Sequence, residues 1–150
     1  MMQTTTKERV AERVRQLHCI APDSIGDLLR FELLSCDEGK GEYTFSCETA
    51  PWMRNTMGKL HGGMSAVILD QAMGIVVFGI IPENGVAPTI QMQQYYHKPF
   101  PPGEKGRVVV TITAASGKLI HMKAELFRES EPKFVCVSAT AIYYYKSFSK

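Results

Sequence analysis

At 150 residues, 45% hydrophobic and 21% charged, the chain has the size and balance of one globular domain, which excludes a disordered or coiled-coil class. A formal charge of +2 is too small to imply a nucleic-acid surface or binding to a membrane, so a claim about an anionic partner must rest on local residues. Cys19, Cys36, Cys47 and Cys136 form no C-x-x-C pair, and the chain starts on a polar Thr4-Thr5-Thr6 run rather than a basic-then-apolar leader. Reduced, buried cysteines and a cytoplasmic protein are therefore expected.

In chain order, the first predicted element is an amphipathic surface helix from Thr4 to His18. Possible capping threonines open it, Val10, Val14 and Leu17 recur at helical spacing, and charged residues fill the other face. Pro22 stops it, and Asp23 to Leu29 is read as a further short helix or turn, completing an N-terminal extension over about 4–29. Two strands follow, Phe31 to Cys36 and Glu42 to Cys47, joined by the turn Asp37-Glu38-Gly39-Lys40-Gly41. Thr49 to Leu60 has no sustained period and reads as an irregular connection.

Gly62 and Gly63 mark the entrance to a long helix expected to run to about Phe78 and to stop before Gly79 to Gly85, where Pro82, Asn84 and Gly85 are breakers. Met64 to Ile81 is long enough to raise the question of a membrane span, but Ser65, Asp70 and Gln71 interrupt it, and a central Asp in lipid costs several kcal/mol, about 3 on insertion scales. With nearly every face apolar, the helix is expected to be enclosed by a sheet curled about it. That sheet is predicted from Thr89 to Tyr96, Arg107 to Ala115, Leu119 to Phe127 and Phe134 to Tyr145, all rich in β-branched and aromatic residues. Because the strands come in runs, the fold class is α+β: one long central helix wrapped by a curved, mostly antiparallel sheet, in a single domain over 1–150.

Asp70 is the one acidic residue of the helical segment His61 to Ile81. A carboxylate enclosed among apolar groups is costly unless paired, hydrogen-bonded or neutralised. A capping or otherwise structural Asp is as common an explanation as a working one, but Gly63, Ala66, Asp70, Gly74 and Val77 share one helical stripe. The carboxylate is thus flanked by small residues that let a ligand or another backbone approach. Gly62 and Gly63 stand in the first turn, where unpaired N–H groups and a partial positive charge form an oxyanion site, and His61 reads as a capping or supporting residue. Eight residues along one helix separate Gly62 from Asp70 by ~12 Å, too far to act on one carbonyl. Two antiparallel copies across a two-fold axis would bring the Gly62 amide of one to Asp70 of the other, so an obligate homodimer is expected. No G-x-S-x-G, P-loop or dinucleotide glycine signature is present, and His18, His61, His97 and His121 do not fall at metal-ligand spacings, so no metal is expected. Met57, Met64, Met73 and Phe78 are candidates to line a pocket along the helix, although Met and Phe at helical spacing are more often core.

Asn55-x-x-Gly58-x-Leu60-His61-Gly62-Gly63 followed by Leu69-Asp70-x-Ala72-x-Gly74 resembles the hotdog-fold acyl-CoA thioesterases of the phenylacetate-pathway type. The resemblance runs from the first hairpin to the final strands and is weakest before Arg30. It implies a five- or six-stranded sheet around one helix, dimers that pair into tetramers, and hydrolysis of an acyl-CoA thioester to free acid and coenzyme A. No other cofactor is needed, because coenzyme A is part of the substrate. By the same resemblance Asp70 falls on the family's nucleophile or general base, Gly62 on the amide that polarises the thioester carbonyl, and Asn55 on a position that helps place the water or the carboxylate. Thr89 falls near a hydroxyl position used in some members, and His61 and Gly63 flank the oxyanion amide. Where such chains usually carry Arg-Pro, this one has His97-Lys98-Pro99; Lys98 and the hairpin residue Lys118 are the candidates for contact with the nucleotide, as point charges. Two other readings stay open: an acyl-thioester hydratase or dehydratase, whose Asp and downstream His pair is not visible here, and a non-catalytic acyl-CoA binding module or sensor, which would not need Asp70.

Overall fold

The computed structural model describes residues 5–148. Thr4, expected among the opening caps, lies outside them. Helix α1 (Thr6–Ile20) begins at Thr5, whose hydroxyl accepts the Glu8 N–H while the Glu8 carboxylate accepts the Thr5 N–H, a reciprocal cap that satisfies two otherwise orphaned donors. A short helix α2 (Ile25–Leu28) follows. Asp27, at its third position, accepts from the Asp23 N–H, His18 and Arg30; the backbone bond first and then His18 hold its carboxyl below the usual carboxylate range. This cluster fixes the turn between the two helices.

Strands β1 (Glu32–Asp37) and β2 (Glu42–Cys47) form the expected hairpin, with Gly41 at φ +63° in its turn. After a 3₁₀ turn at Pro51–Met53 comes α3 (Gly62–Ile80), then β3 (Gly85–Val86), β4 (Thr89–Tyr96), β5 (Gly106–Ser116), β6 (Leu119–Arg128), β7 (Glu131–Tyr144) and β8 (Lys146–Ser147). Six strands make one antiparallel sheet in the order β1-β2-β5-β6-β7-β4, and β3 and β8 form a small two-stranded ribbon that the sequence patterning does not announce. Alternation places Tyr43 and Phe45, Val108 and Val110, Met122, Ala124 and Leu126, and Val137, Ala139, Ala141 and Tyr143 on the inner face, where they bury against α3. β7 starts at Glu131 rather than at Phe134: Pro132 is tolerated because β7 is paired on one side only until β4 joins it at Val137.

Two expectations for α3 need correction. It continues two residues past Phe78 because Gly79 is not a breaker but the place where α1 crosses. A Cβ there would lie 2.4 Å from Val10 Cγ2 and 3.1 Å from Val10 Cα. The helix is also not enclosed on every side. Ser65, Ile68, Leu69, Ala72, Met73, Ile75, Val76 and Val77 are buried, whereas Gly63, Ala66, Val67, Asp70, Gln71 and Gly74 form a face that the sheet leaves uncovered beyond its edge strand β4. By length and composition α3 would be able to cross a bilayer, but half of it is packed inside this fold. Cys47 and Cys136 are buried as expected, whereas Cys36 is half-buried and Cys19 is exposed near the end of α1.

Candidate active site

Asp70 lies on the open face of α3, half-buried, and its surroundings are set by one cross-strand pair. Thr89 opens β4 and faces Tyr143 near the end of β7 in the sheet register. Both side chains point inward, so Thr89 Oγ1 donates to Asp70 Oδ1 at 2.8 Å and Tyr143 Oη donates to the same oxygen at 3.0 Å. Two hydroxyls on one carboxylate oxygen fix the plane of the group. Oδ2 accepts no hydrogen bond from the described residues. Tyr143 is 2% exposed, and burial first, then the charge of Asp70, push its phenol well above the ordinary range. It is a neutral, permanent donor.

Thr89, expected from the resemblance only near a hydroxyl position used in some members, bonds the carboxylate itself; Tyr143 was missed. The available signal was its position on the inward-facing register of β7, after Val137, Ala139 and Ala141, as the one residue there with a polar side-chain atom. Asp70, Thr89 and Tyr143 border an open cavity of about 630 Å³ whose walls are largely apolar: Leu17 and Ile20 from α1, Ile75 and Phe78 from α3, and Val86 and Pro88 from the approach to β4. Phe78, a candidate liner by sequence, is thus partly a wall of this cavity, and α1 is another. Nothing fills the space beside Gly74, where a Cβ would meet no atom within 4 Å.

Gly62 lies in a second cavity, of about 410 Å³, shared with Asn55, Met57, Tyr96, Lys98 and Phe100. The two cavities have no lining residue in common. His61 caps α3, its Nδ1 accepting the Gly63 N–H at 3.0 Å, so the Gly63 amide is engaged. The His61 carbonyl takes the N–H groups of Met64 and Ser65. Of the first-turn amides, that of Gly62 alone has no acceptor among the described residues. The small-residue entrance has a steric cause as well: a Cβ on Gly62 would come 2.8 Å from the Tyr96 hydroxyl.

Asn55 shares the cavity with Gly62 rather than with Asp70, and its Oδ1 accepts the N–H groups of Met57 and Lys59 at 2.9 and 3.0 Å. It therefore shapes the turn that Gly58, at φ +71°, completes, and offers only its amide Nδ2 to the cavity. Met57 is 77% exposed at this rim, not core. Lys98 also lines this cavity, with its Nζ 3.5 Å from the centroid of the Phe134 ring. Lys118 sits in the β5-β6 turn beside Tyr144 and Tyr145, at the opposite end of β7 from the Gly62 cavity, so the two lysines do not meet in one chain. Among the described residues no three His, Cys, Asp or Glu side chains gather as a metal site would require.

A family model described as "Thioesterase superfamily" matches residues 57–135. No curated protein sequence matches the chain. Solved structures do. A phenylacetic acid degradation-related protein of Ralstonia eutropha JMP134, described as a candidate thioesterase, is 18% identical, with a TM-score of 0.76 over 88% of this chain and 98% of its own. Zebra fish thioesterase superfamily member 2 is 17% identical, with a TM-score of 0.75 over 95% and 99%. A Streptococcus mutans UA159 protein bound to acetyl CoA is 19% identical, with a TM-score of 0.66 over 80% and 91%. At these identities the likeness is one of fold: a single long helix against a curved antiparallel sheet.

Proposed function

The chain belongs to the thioesterase superfamily, whose model covers more than half of its residues, and from that premise we propose that it hydrolyses an acyl-CoA thioester with Asp70 as the working carboxylate. The observation that supports this most directly is the Asp70 carboxylate itself, held through Oδ1 by Thr89 and Tyr143 with Oδ2 free at the mouth of an apolar cavity. Leu17, Ile20, Ile75 and Phe78 suit an apolar acyl chain or ring better than a charged one. The acetyl CoA in the S. mutans relative makes coenzyme A the natural leaving group to test, entering with the substrate and leaving as product.

In one route Oδ2 takes a proton from water, the water oxygen adds to the carbonyl carbon, and the carbonyl electron pair moves onto oxygen. Collapse reforms the carbonyl and breaks the C–S bond, and the proton held by Asp70 passes to the departing thiolate. In the other, Oδ2 itself adds to the carbonyl carbon, and collapse breaks the C–S bond and expels the coenzyme A thiolate to leave a mixed anhydride. Water adds to the anhydride, freeing the acid and Asp70 while its proton passes to the thiolate; label entering the Asp70 carboxyl in a single turnover in ¹⁸O-water identifies this route. Both routes need a donor for the oxyanion, and the free Gly62 amide is the one we assign.

Within one chain that amide and Asp70 open into different cavities. We therefore assign the complete site to a homodimer, as the spacing along α3 anticipates, with pairs of dimers as its higher assembly. β4 is an eight-residue edge strand with Ile90, Tyr95 and Tyr96 each about half exposed or more, and the open face of α3 lies beside it. Pairing two such edges about a two-fold axis covers both. The test is free-thiol release from a panel of acyl-CoA esters (benzoyl, phenylacetyl, hexanoyl). Asp70→Asn should lower kcat by about a hundredfold to ten-thousandfold with thermal stability retained. Unchanged turnover in that variant would reject the assignment, and tight binding of every ester without turnover would favour a binding module.

A further inference from the structure

Tyr96 ends β4 and is 64% exposed. Its hydroxyl is packed beside the Cα of Gly62 and lines the same cavity. Gln94, two residues earlier on the same face of the strand, reaches Tyr96 Oη at 2.5 Å, the Gly62 carbonyl at 3.2 Å and Ser65 Oγ at 3.2 Å. The orientation of the Gln94 amide follows from chemistry. A backbone carbonyl can only accept, so the group facing Gly62 O must be Nε2, and the same Nε2 faces Tyr96. Ser65 Oγ already donates to the Gly62 carbonyl at 2.7 Å. Nε2 has two hydrogens for these three oxygens; with the shortest contact, at 2.5 Å, taking one of them, the Tyr96 oxygen accepts and its own hydrogen has no acceptor among the described residues, while Gln94 Oε1 is buried without a partner.

Resting on the hydrolysis proposed above, we infer that the Tyr96 hydroxyl is a catalytic residue, the second donor of the oxyanion site, acting with the Gly62 N–H on the thioester carbonyl oxygen. One backbone amide is a weak oxyanion site by itself, and the next amide along, that of Gly63, is taken by His61. Tyr96 supplies the missing donor from the neighbouring strand, and Gln94 aims it by occupying its lone pair. No proton is transferred: as the carbonyl electron pair moves onto oxygen during addition, the Tyr96 O–H and the Gly62 N–H shorten onto that charge and lengthen again on collapse. This also explains why position 62 is glycine, since any side chain there would displace the hydroxyl.

The experiment compares Tyr96→Phe, which removes only the hydroxyl, with Asp70→Asn and the parent protein on the best-turned-over ester of the benzoyl-, phenylacetyl- and hexanoyl-CoA panel. The expected result is kcat lower by about a hundredfold with KM within twofold. The thioester carbonyl stretch of benzoyl-CoA bound to Asp70→Asn should also lie at lower frequency than in Asp70→Asn/Tyr96→Phe, a signature that a packing role for the ring would not move. If Tyr96→Phe keeps parental kcat, or raises KM alone, while Asp70→Asn is inactive, the Tyr96 assignment is overturned and hydrolysis at Asp70 stands. If the parent cleaves no ester, or Asp70→Asn cleaves as well as the parent, the hydrolysis itself is rejected and the inference with it.

Discussion

At Asp70, two hydroxyls converge on one carboxylate oxygen from a single cross-strand pair, and this arrangement separates the roles of the two oxygens. Oδ1 is held; Oδ2 is free to meet a water or a carbonyl carbon. The Tyr143 oxygen also lies 3.2 Å from the Asp70 backbone carbonyl, so its one hydrogen is shared between the side chain and the helix turn that carries it. Tyr143→Phe preserves the buried ring and removes only this tether. We expect kcat to fall about tenfold, equivalent to ~1.4 kcal/mol, with KM unchanged, because a mobile carboxylate still admits substrate but meets it in fewer productive orientations. A rise in KM at constant kcat would instead mean that Tyr143 binds substrate. Its role was not legible in the sequence because its partner, Asp70, lies 73 positions away. A strand tyrosine is ordinarily a packing residue, and its place on the inward register of β7 says that it is buried with a hydroxyl, not which group that hydroxyl meets.

At the scale of elements, the packing of α1 on α3 decides the shape of the cavity beside Asp70. Arg9 and Arg13 reach from α1 to the carbonyls of Ile81 and Phe78, complementing the negative end of α3, while Val10 and Val14 bury beneath them. The close approach needs Gly79. Gly79→Ala should destabilise the fold by about 1–3 kcal/mol, since Val10 Cγ2 and the Val10 backbone are both within 3.2 Å of the new methyl and a short branched side chain has little room to yield. Chemical denaturation measures this, and a change below ~0.5 kcal/mol would show that α1 shifts freely. The amphipathic period of α1 was plain in the sequence, but its placement against the C-terminal half of α3 was not. The same valines would have served against any apolar surface.

For the molecule as a whole, the divided cavities are the reason for proposing a site shared between two chains. One chain presents Asp70 at one opening and the Gly62 amide, with Tyr96 beside it, at another. In a shared-site dimer, mixing an Asp70→Asn chain with a Gly62→Val chain should restore activity. The heterodimer has one site with both groups intact and one with neither, so it should reach about half the turnover of the parent dimer, while each variant alone is inactive. A mixture no more active than its parents, together with a monomeric sedimentation coefficient for active protein, would place the whole site within one chain.

Local pattern alone determined the helix from Gly62, its glycine entrance, the isolated Asp70, the first hairpin and the four long strands. Each of these is written in residues within one or two turns of one another, as period, turn chemistry or charge. The tertiary structure decided what no local period encodes: the register that aims Thr89 and Tyr143 at Asp70, the contact of Gln94 with the Tyr96 hydroxyl beside Gly62, the crossing of α1 at Gly79, and the side of α3 left open beyond β4. These depend on which distant segments lie together. The cross-strand register, which a shift of one residue would reverse, is fixed only when the whole sheet closes over its core.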